Sequence, residues 1–269
     1  ISSSENECVC FNPAHNVNHN KTHKSFISGI IKDLLQDLRS ADEIVKLYIM
    51  MIICPVFLIV LNTVFNVMTL NEVGRRLVPT VNMLVILLCY LGSSVSIASV
   101  YSKEGQTAYL IKSSPVHYTK ALVSKLIVRA VAMTISIIAT TIVYSKYVRY
   151  SGKMIPVYLA LAVLFLYVGH LLWSAELDYM NPQDKLYAET GSSSSMSNPN
   201  ETMSLIIAII VSIVVAFMVF FFYGETLVRF ELSMLRIAIY SLLFCAARVF
   251  LFVRKVYAYT TSRGERGKE

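Results

Sequence analysis

The sequence predicts an all-α integral membrane bundle of six transmembrane helices, preceded by an amphipathic interfacial helix. Three observations carry this. Apolar residues make up 55% of the chain and charged ones only 15%, whereas an ordinary soluble domain has about 25% charged residues. Mean hydropathy is +0.59, and six stretches approach the roughly 20 apolar residues needed to cross about 30 Å of hydrocarbon. The Lys and Arg residues gather on one side of those stretches. This balance argues against a disordered chain, a nucleic-acid-binding domain and a disulfide-stapled secreted module. The net charge of +7 is therefore assigned to a membrane surface, with the lipid bilayer as partner and no nucleic acid.

Residues 1–24 are rich in Asn, Ser and His and lack hydrophobic periodicity, so they read as a disordered polar tail. Cys8, Cys10, His15, His19 and His23 lie there. Cys-x-Cys and His at every fourth position could ligate zinc, but Pro13 and the lack of an apolar face oppose the helix this would need, and no metal site is assigned. The first residue is Ile and no cleavable signal stretch is visible, so the chain is expected to be a fragment or processed piece. In residues 25–46, Phe26, Ile27, Ile30, Ile31, Leu34, Leu35 and Leu38 recur at helical spacing between charged residues. An interfacial helix lying flat in the inner leaflet is favoured over a solvated linker helix.

The spans are expected at 47–68, 78–100, 126–144, 154–173, 204–223 and 234–253, within a transmembrane domain over 47–253, with a basic cytoplasmic tail at 254–269. Pro55 should kink the first span. Gly105 can end the second helix just past the membrane, and Pro115 starts the next element. A helix over 118–144 would be about 40 Å long at 1.5 Å per residue, so its first turns should project from the bilayer. With both termini cytoplasmic, the inner segments hold fifteen Lys and Arg and the outer loops six, the other three falling within the spans; the positive-inside rule favours this orientation. Arg129, Arg236 and Arg248 lie near span ends and read as snorkelling, Trp173 as an interface anchor, and His170 as a packed or interfacial residue rather than a proton relay. Catalysis has no support: no phosphate-binding Gly-x-x-x-x-Gly-Lys-Ser/Thr loop, no His-Glu-x-x-His and no Gly-x-Ser-x-Gly occurs. Glu176 and Asp178, two apart, would not share a helix face.

The first inner segment carries the most information. Its runs Ser102-Lys103-Glu104-Gly105-Gln106, then Leu110-Ile111-Lys112-Ser113-Ser114-Pro115-Val116, then Ser124-Lys125-Leu126 resemble the permease subunits of bacterial type-2 ABC exporters. That family has Ser-Arg-Glu-Gly-Lys, then Leu-Lys-Ser-Leu-Pro-Ile/Val, then Ala/Gly-Lys-Leu. Lys103, Gln106 and Ser114 depart from it. Upstream Lys32, Asp33, Arg39 and Ser40, and downstream Glu176-Leu177-Asp178-Tyr179-Met180-Asn181-Pro182, extend the likeness over roughly residues 24–253, in the family's C-terminal six-span half.

The resemblance implies a plasma-membrane permease that binds no nucleotide. ATP and Mg would belong to two cytoplasmic ATPase subunits, and the pathway would form with a second six-span half or a second copy. Lys103, Glu104, Gly105, Gln106, Lys112, Ser113, Pro115 and Lys125 would form the ATPase-coupling loop. Glu176, Asp178 and Pro182 would mark a second cytoplasmic loop acting as contact or strut. The alternative is a non-transporting, multi-pass structural or assembly subunit of a membrane complex. Cargo identity is not legible, although a lipid-like or amphipathic one is favoured.

Overall fold

The computed structural model describes residues 30–31, 34–35, 38–39, 44–45, 49–103, 118–148, 154–183, 186–187, 198–223 and 227–266. Among these the protein is helical, with no strand. We number the long helices α1 (Met50–Val67), α2 (Glu72–Ser93), α3 (Tyr118–Tyr147), α4 (Ile155–Met180), α5 (Pro199–Phe222) and α6 (Leu227–Arg266); a 3₁₀ segment, Ser94–Ser99, continues α2. Five helical stretches are long and apolar enough to cross a membrane: Glu72–Ser99, Val123–Tyr147, Ile155–Met180, Pro199–Phe222 and Val228–Val256. The first expected span forms α1, whose apolar part Met51–Val67 is shorter; its 18 residues reach about 27 Å.

Local chemistry sets the boundaries. α2 starts at Glu72, after the four-residue connection 68–71, so Arg75 and Arg76 stand in its first turns rather than in an outer loop. α1 runs unbroken through Pro55. α2 gives up α geometry at Ser93, well before Gly105, because the small-residue run 92–99 supplies hydroxyls that bond back three residues. Ser93 Oγ donates to Tyr90 O and Ser94 Oγ to Leu91 O, and Ser99 Oγ donates to Ser96 O. These contacts favour the tighter 3₁₀ turn. α3 starts at Tyr118, as expected, and runs 30 residues. α5 opens at Pro199 with Asn198 as its N-cap, accepting from Asn200 N. α6 continues as helix to Arg266, so most of the expected tail extends the last span. Of the expected interfacial helix, residues 30–31, 34–35 and 38–39 are helical, with Ile31, Leu34, Leu35 and Leu38 exposed.

α4 is the central element, packing against α6, α3, α2, α5 and the 3₁₀ segment, while α1 packs on α3 and α2. Gly169 lets α4 approach α6 closely: a Cβ there would stand 2.6 Å from a ring carbon of Phe244. The outward faces of α5 and α6 are apolar and exposed, as lipid-facing surfaces are.

Several of the polar groups that the spans bury are paired across helices. Asn62 of α1 and Asn82 of α2 exchange two amide hydrogen bonds of 2.8 and 2.9 Å. Each also donates to the carbonyl one turn back, Leu58 and Val78. Tyr90 Oη lies 2.8 Å from Ser136 Oγ and 2.6 Å from Thr140 Oγ1, joining α2 to α3. An unpaired polar group in hydrocarbon costs several kcal/mol, so such closure is what a membrane interior demands.

Candidate functional site: the junction at the C-terminal end of α4

α2 with its 3₁₀ extension, α4 and α6 all finish at one end of the bundle, where α3 and α5 begin. The last turns of α4 hold that end together through two acidic residues. Asp178 is fully buried. Its Oδ2 accepts from the backbone N–H groups of Tyr101 and Ser102 at 2.7 and 3.1 Å, and its Oδ1 accepts from Ser102 Oγ. Ser102 Oγ in turn accepts from Gln183 N at 2.8 Å. Asp178 thus grips the chain where it leaves the 3₁₀ segment, at the root of the segment leading to Lys103 and beyond. Asn200 Nδ2 donates to Asn181 O at 2.8 Å, tying the start of α5 to the end of α4.

Glu176, two residues earlier and on the opposite face of α4, serves α6. Its Oε2 accepts from Arg248 Nη2 at 3.0 Å and its Oε1 pairs with Lys255 Nζ. Arg248 also lies over the Trp173 ring, 4.0 Å from its centroid, a cation–π contact. Arg248 and Lys255 are seven residues apart, two turns of α6, so one carboxylate clamps both. Arg129 of α3 is buried and donates to Ser96 Oγ at 3.1 Å. Among its described residues the arrangement is a set of ties between helix ends.

Several expectations need correction here. Glu176 and Asp178 belong to α4, not to a loop after it; Pro182 lies just past the helix end. The apolar run ends at Trp173, but the helix continues because these carboxylates are neutralised by partners that the one-dimensional reading could not supply. Arg129 is buried and Arg248 half-buried, each against polar partners rather than snorkelling. Arg236 is exposed. His170 is packed in the interior, 1% exposed, the first of its two expected placements. The two acidic residues do point to different partners, as their spacing requires.

Of the expected coupling loop, Lys103 and Lys125 are described and both are partly buried. Lys103 directly follows Ser102, while Lys125 sits two turns into α3. Glu104, Gly105, Gln106, Lys112, Ser113 and Pro115 lie outside the described residues, as do Cys8, Cys10, His15, His19 and His23. Among the described residues no group of three or more His, Cys, Asp or Glu is placed to hold a metal ion. Lys255 is a junction residue given no role from the sequence, Ser102 stood in the motif run without one, and Arg248 was assigned to the interface. Arg248 carried a usable signal, since an ionisable residue inside a span is a functional candidate by default; nothing in the sequence pairs Ser102 with Asp178.

Comparison with family models, with curated proteins and with solved structures finds no match to this chain.

Proposed function

We propose that this chain is the membrane-spanning permease part of an ATP-driven exporter, with six spans and both termini on the cytoplasmic face of the cell membrane. ATP would be hydrolysed by separate ATPase subunits, and the pathway would form with a second six-span unit. The observation that carries the reading is the grip of Asp178 on Tyr101 and Ser102. The segment carrying the exporter-like motif is not a free loop at its root: it is fastened to the central helix. α4 is fastened through Glu176 to α6 as well. A push on the segment following Lys103 therefore acts on α4, and through α4 on α6. A coupling element must work this way, converting a partner's movement into an energy difference between two arrangements of the spans. The exposed Ile31, Leu34, Leu35 and Leu38 fit an interfacial helix at the same end. The excess of Lys and Arg there fits the inner leaflet.

A second reading, a non-transporting scaffold subunit, is favoured by the closure of the intramembrane polar contacts on one another, as in the Asn62–Asn82 pair.

The test is purification of the tagged full-length chain from its host in mild detergent, beside its Glu104→Lys variant, with mass spectrometry of what accompanies each. A stoichiometric ATPase that is lost with the variant supports both exporter and coupling segment. An ATPase retained with the variant keeps the exporter and moves the coupling contact elsewhere. A folded chain that brings no ATPase supports the scaffold.

A further inference from the structure

Cys54 of α1 and Cys89 of α2 face the same seam, and the Asn62–Asn82 pair fixes its register. On α1, Cys54, Leu58 and Asn62 are buried, each four residues from the next. They form one ridge of the kind that packs against a neighbouring helix. α1 and α2 are antiparallel, so a four-residue step back along α1 is matched by one forward along α2. From the reciprocal bonds of Asn62 and Asn82, one step reaches Leu58 and the level of the buried Ile86. A second step reaches Cys54 and the level of Tyr90, next to Cys89.

Independent contacts close the seam at that level. Tyr90 Oη is bonded to Ser136 and Thr140 of α3 at 2.8 and 2.6 Å. Ser136 Oγ also lies 3.1 Å from the carbonyl oxygen of Met51, one turn before Cys54. The two thiols meet side chain to side chain there, with the Tyr90 and Thr140 hydroxyls beside the Cys54 sulfur. Neither cysteine is bridged. Cys54 is fully enclosed, whereas Cys89 is half-buried and its neighbour Leu88 is exposed. A lone buried thiol is a small apolar filler. Two thiols in contact can also give up two electrons by forming an S–S bond.

We propose that Cys54 and Cys89 form a dithiol site that a quinone dissolved in the bilayer oxidises to a disulfide, joining α1 to α2. The class of oxidant follows from the surroundings. The seam lies between apolar helices, where a charged oxidant such as glutathione disulfide pays heavily for desolvation, and Cys89 is approached from the lipid side. Its sulfur adds to a ring carbon of the quinone, and its proton passes to one quinone oxygen. The Cys54 sulfur then attacks the Cys89 sulfur. The S–S bond forms, the S–C bond breaks with its electron pair left on the ring, and the Cys54 proton passes to the other oxygen. Two thiols and one quinone thus give one disulfide and one hydroquinone. Cys54 meets only Cys89 in this sequence, which fits its enclosure. α1 packs on α2 and α3, so the bond fixes α1 in its packed position. The inference does not rest on the exporter reading.

The test uses the full chain with Cys8→Ser and Cys10→Ser, so that Cys54, Cys89 and Cys245 remain. It is reduced, freed of reductant and placed in lipid nanodiscs containing decylubiquinone. Thiols still free are then alkylated with N-ethylmaleimide in SDS and mapped by peptide mass spectrometry. Alkylation should be lost at Cys54 and Cys89 and kept at Cys245. A Cys54–Cys89 linked peptide should appear, with one hydroquinone for each bond, and dithiothreitol should restore both thiols. Adding Cys54→Ser or Cys89→Ser should abolish hydroquinone formation, and adding Cys245→Ala should leave it unchanged. Both thiols remaining free under quinone in the folded chain overturns the proposal. So does hydroquinone formation that survives either serine variant, or oxidation by glutathione disulfide where the quinone fails. If a serine variant does not fold, the linked peptide and the hydroquinone yield of the parent chain decide: a linked peptide without hydroquinone, or hydroquinone without the peptide, overturns the proposal.

Discussion

Replacing Asp178 by Ala should release the root of the segment that follows Ser102 from the bundle. The side chain is fully buried and accepts from two backbone N–H groups, of Tyr101 and Ser102, and from the Ser102 hydroxyl. Alanine removes the acceptor and leaves a space too apolar to substitute for it. A buried donor deprived of its acceptor costs about 1–3 kcal/mol, so the two amides alone lose about 2–6 kcal/mol of local stability. At 1.4 kcal/mol per tenfold change, the lower figure corresponds to about thirtyfold faster opening. Amide hydrogen exchange of the detergent-solubilised chain reads this directly, because protection reports local opening. The Tyr101 and Ser102 amides should exchange at least about thirtyfold faster in Asp178→Ala, while amides around the Asn62–Asn82 pair keep their protection. Asp178→Asn should fall between, since its one carbonyl oxygen still accepts but its amide group sets a donor against donors. Unchanged exchange at Tyr101 and Ser102 in a folded Asp178→Ala protein would refute the reasoning. The segment would then be held by something other than α4.

Glu176→Ala strands the half-buried Arg248, and breaking a buried pair by removing one partner costs about 3–5 kcal/mol. Trp173 is the chain's single tryptophan and touches both Arg248 and Phe244, so its fluorescence should report the loosened contact and the lowered unfolding midpoint. Arg248→Met in the same chain should recover part of the loss. Asn82→Leu leaves the Asn62 amide short of its partner, at about 1–2 kcal/mol from the range measured for interhelical bonds in membranes. In a denaturation double-mutant cycle, Asn62→Leu/Asn82→Leu should recover most of that loss, because both orphaned groups are gone. Gly169→Leu drives a side chain into Phe244 and should lower stability by about 1–3 kcal/mol, the usual penalty of overpacking; thermal unfolding followed through Trp173 measures it.

The reading of spans from composition worked where lipid imposes the pattern. α3, α4 and α5 are apolar over a bilayer's thickness because every lipid-facing residue must be, and a window of hydropathy senses that directly. It failed at the ends. Glu176 and Asp178 break the apolar run and so read as loop, yet both are interior, because charges on α6 and N–H groups after the 3₁₀ segment neutralise them. The same one-dimensional logic sent Arg129 and Arg248 to the surface, where an unpartnered arginine would have to go. The serine run after Gly92 fell inside the expected span 78–100 as continuous helix. Its hydroxyls instead bond three residues back and tighten the helix, a choice that depends on burial against α4 and α5.

What the sequence determined by itself is therefore the solvent and the alphabet: a helical chain built for a bilayer, its long apolar helices, and a motif-bearing segment between the second and third. These follow from local composition, since a backbone in hydrocarbon must satisfy its own hydrogen bonds and the side chains must tolerate lipid. Only the tertiary structure decided which polar residues meet. Asp178 finds Ser102 across 76 residues and Glu176 finds Arg248 across 72. Such distant pairings leave no periodicity in the chain, because what matches them is the packing of α4 at the centre of the bundle, not the spacing of residues along it.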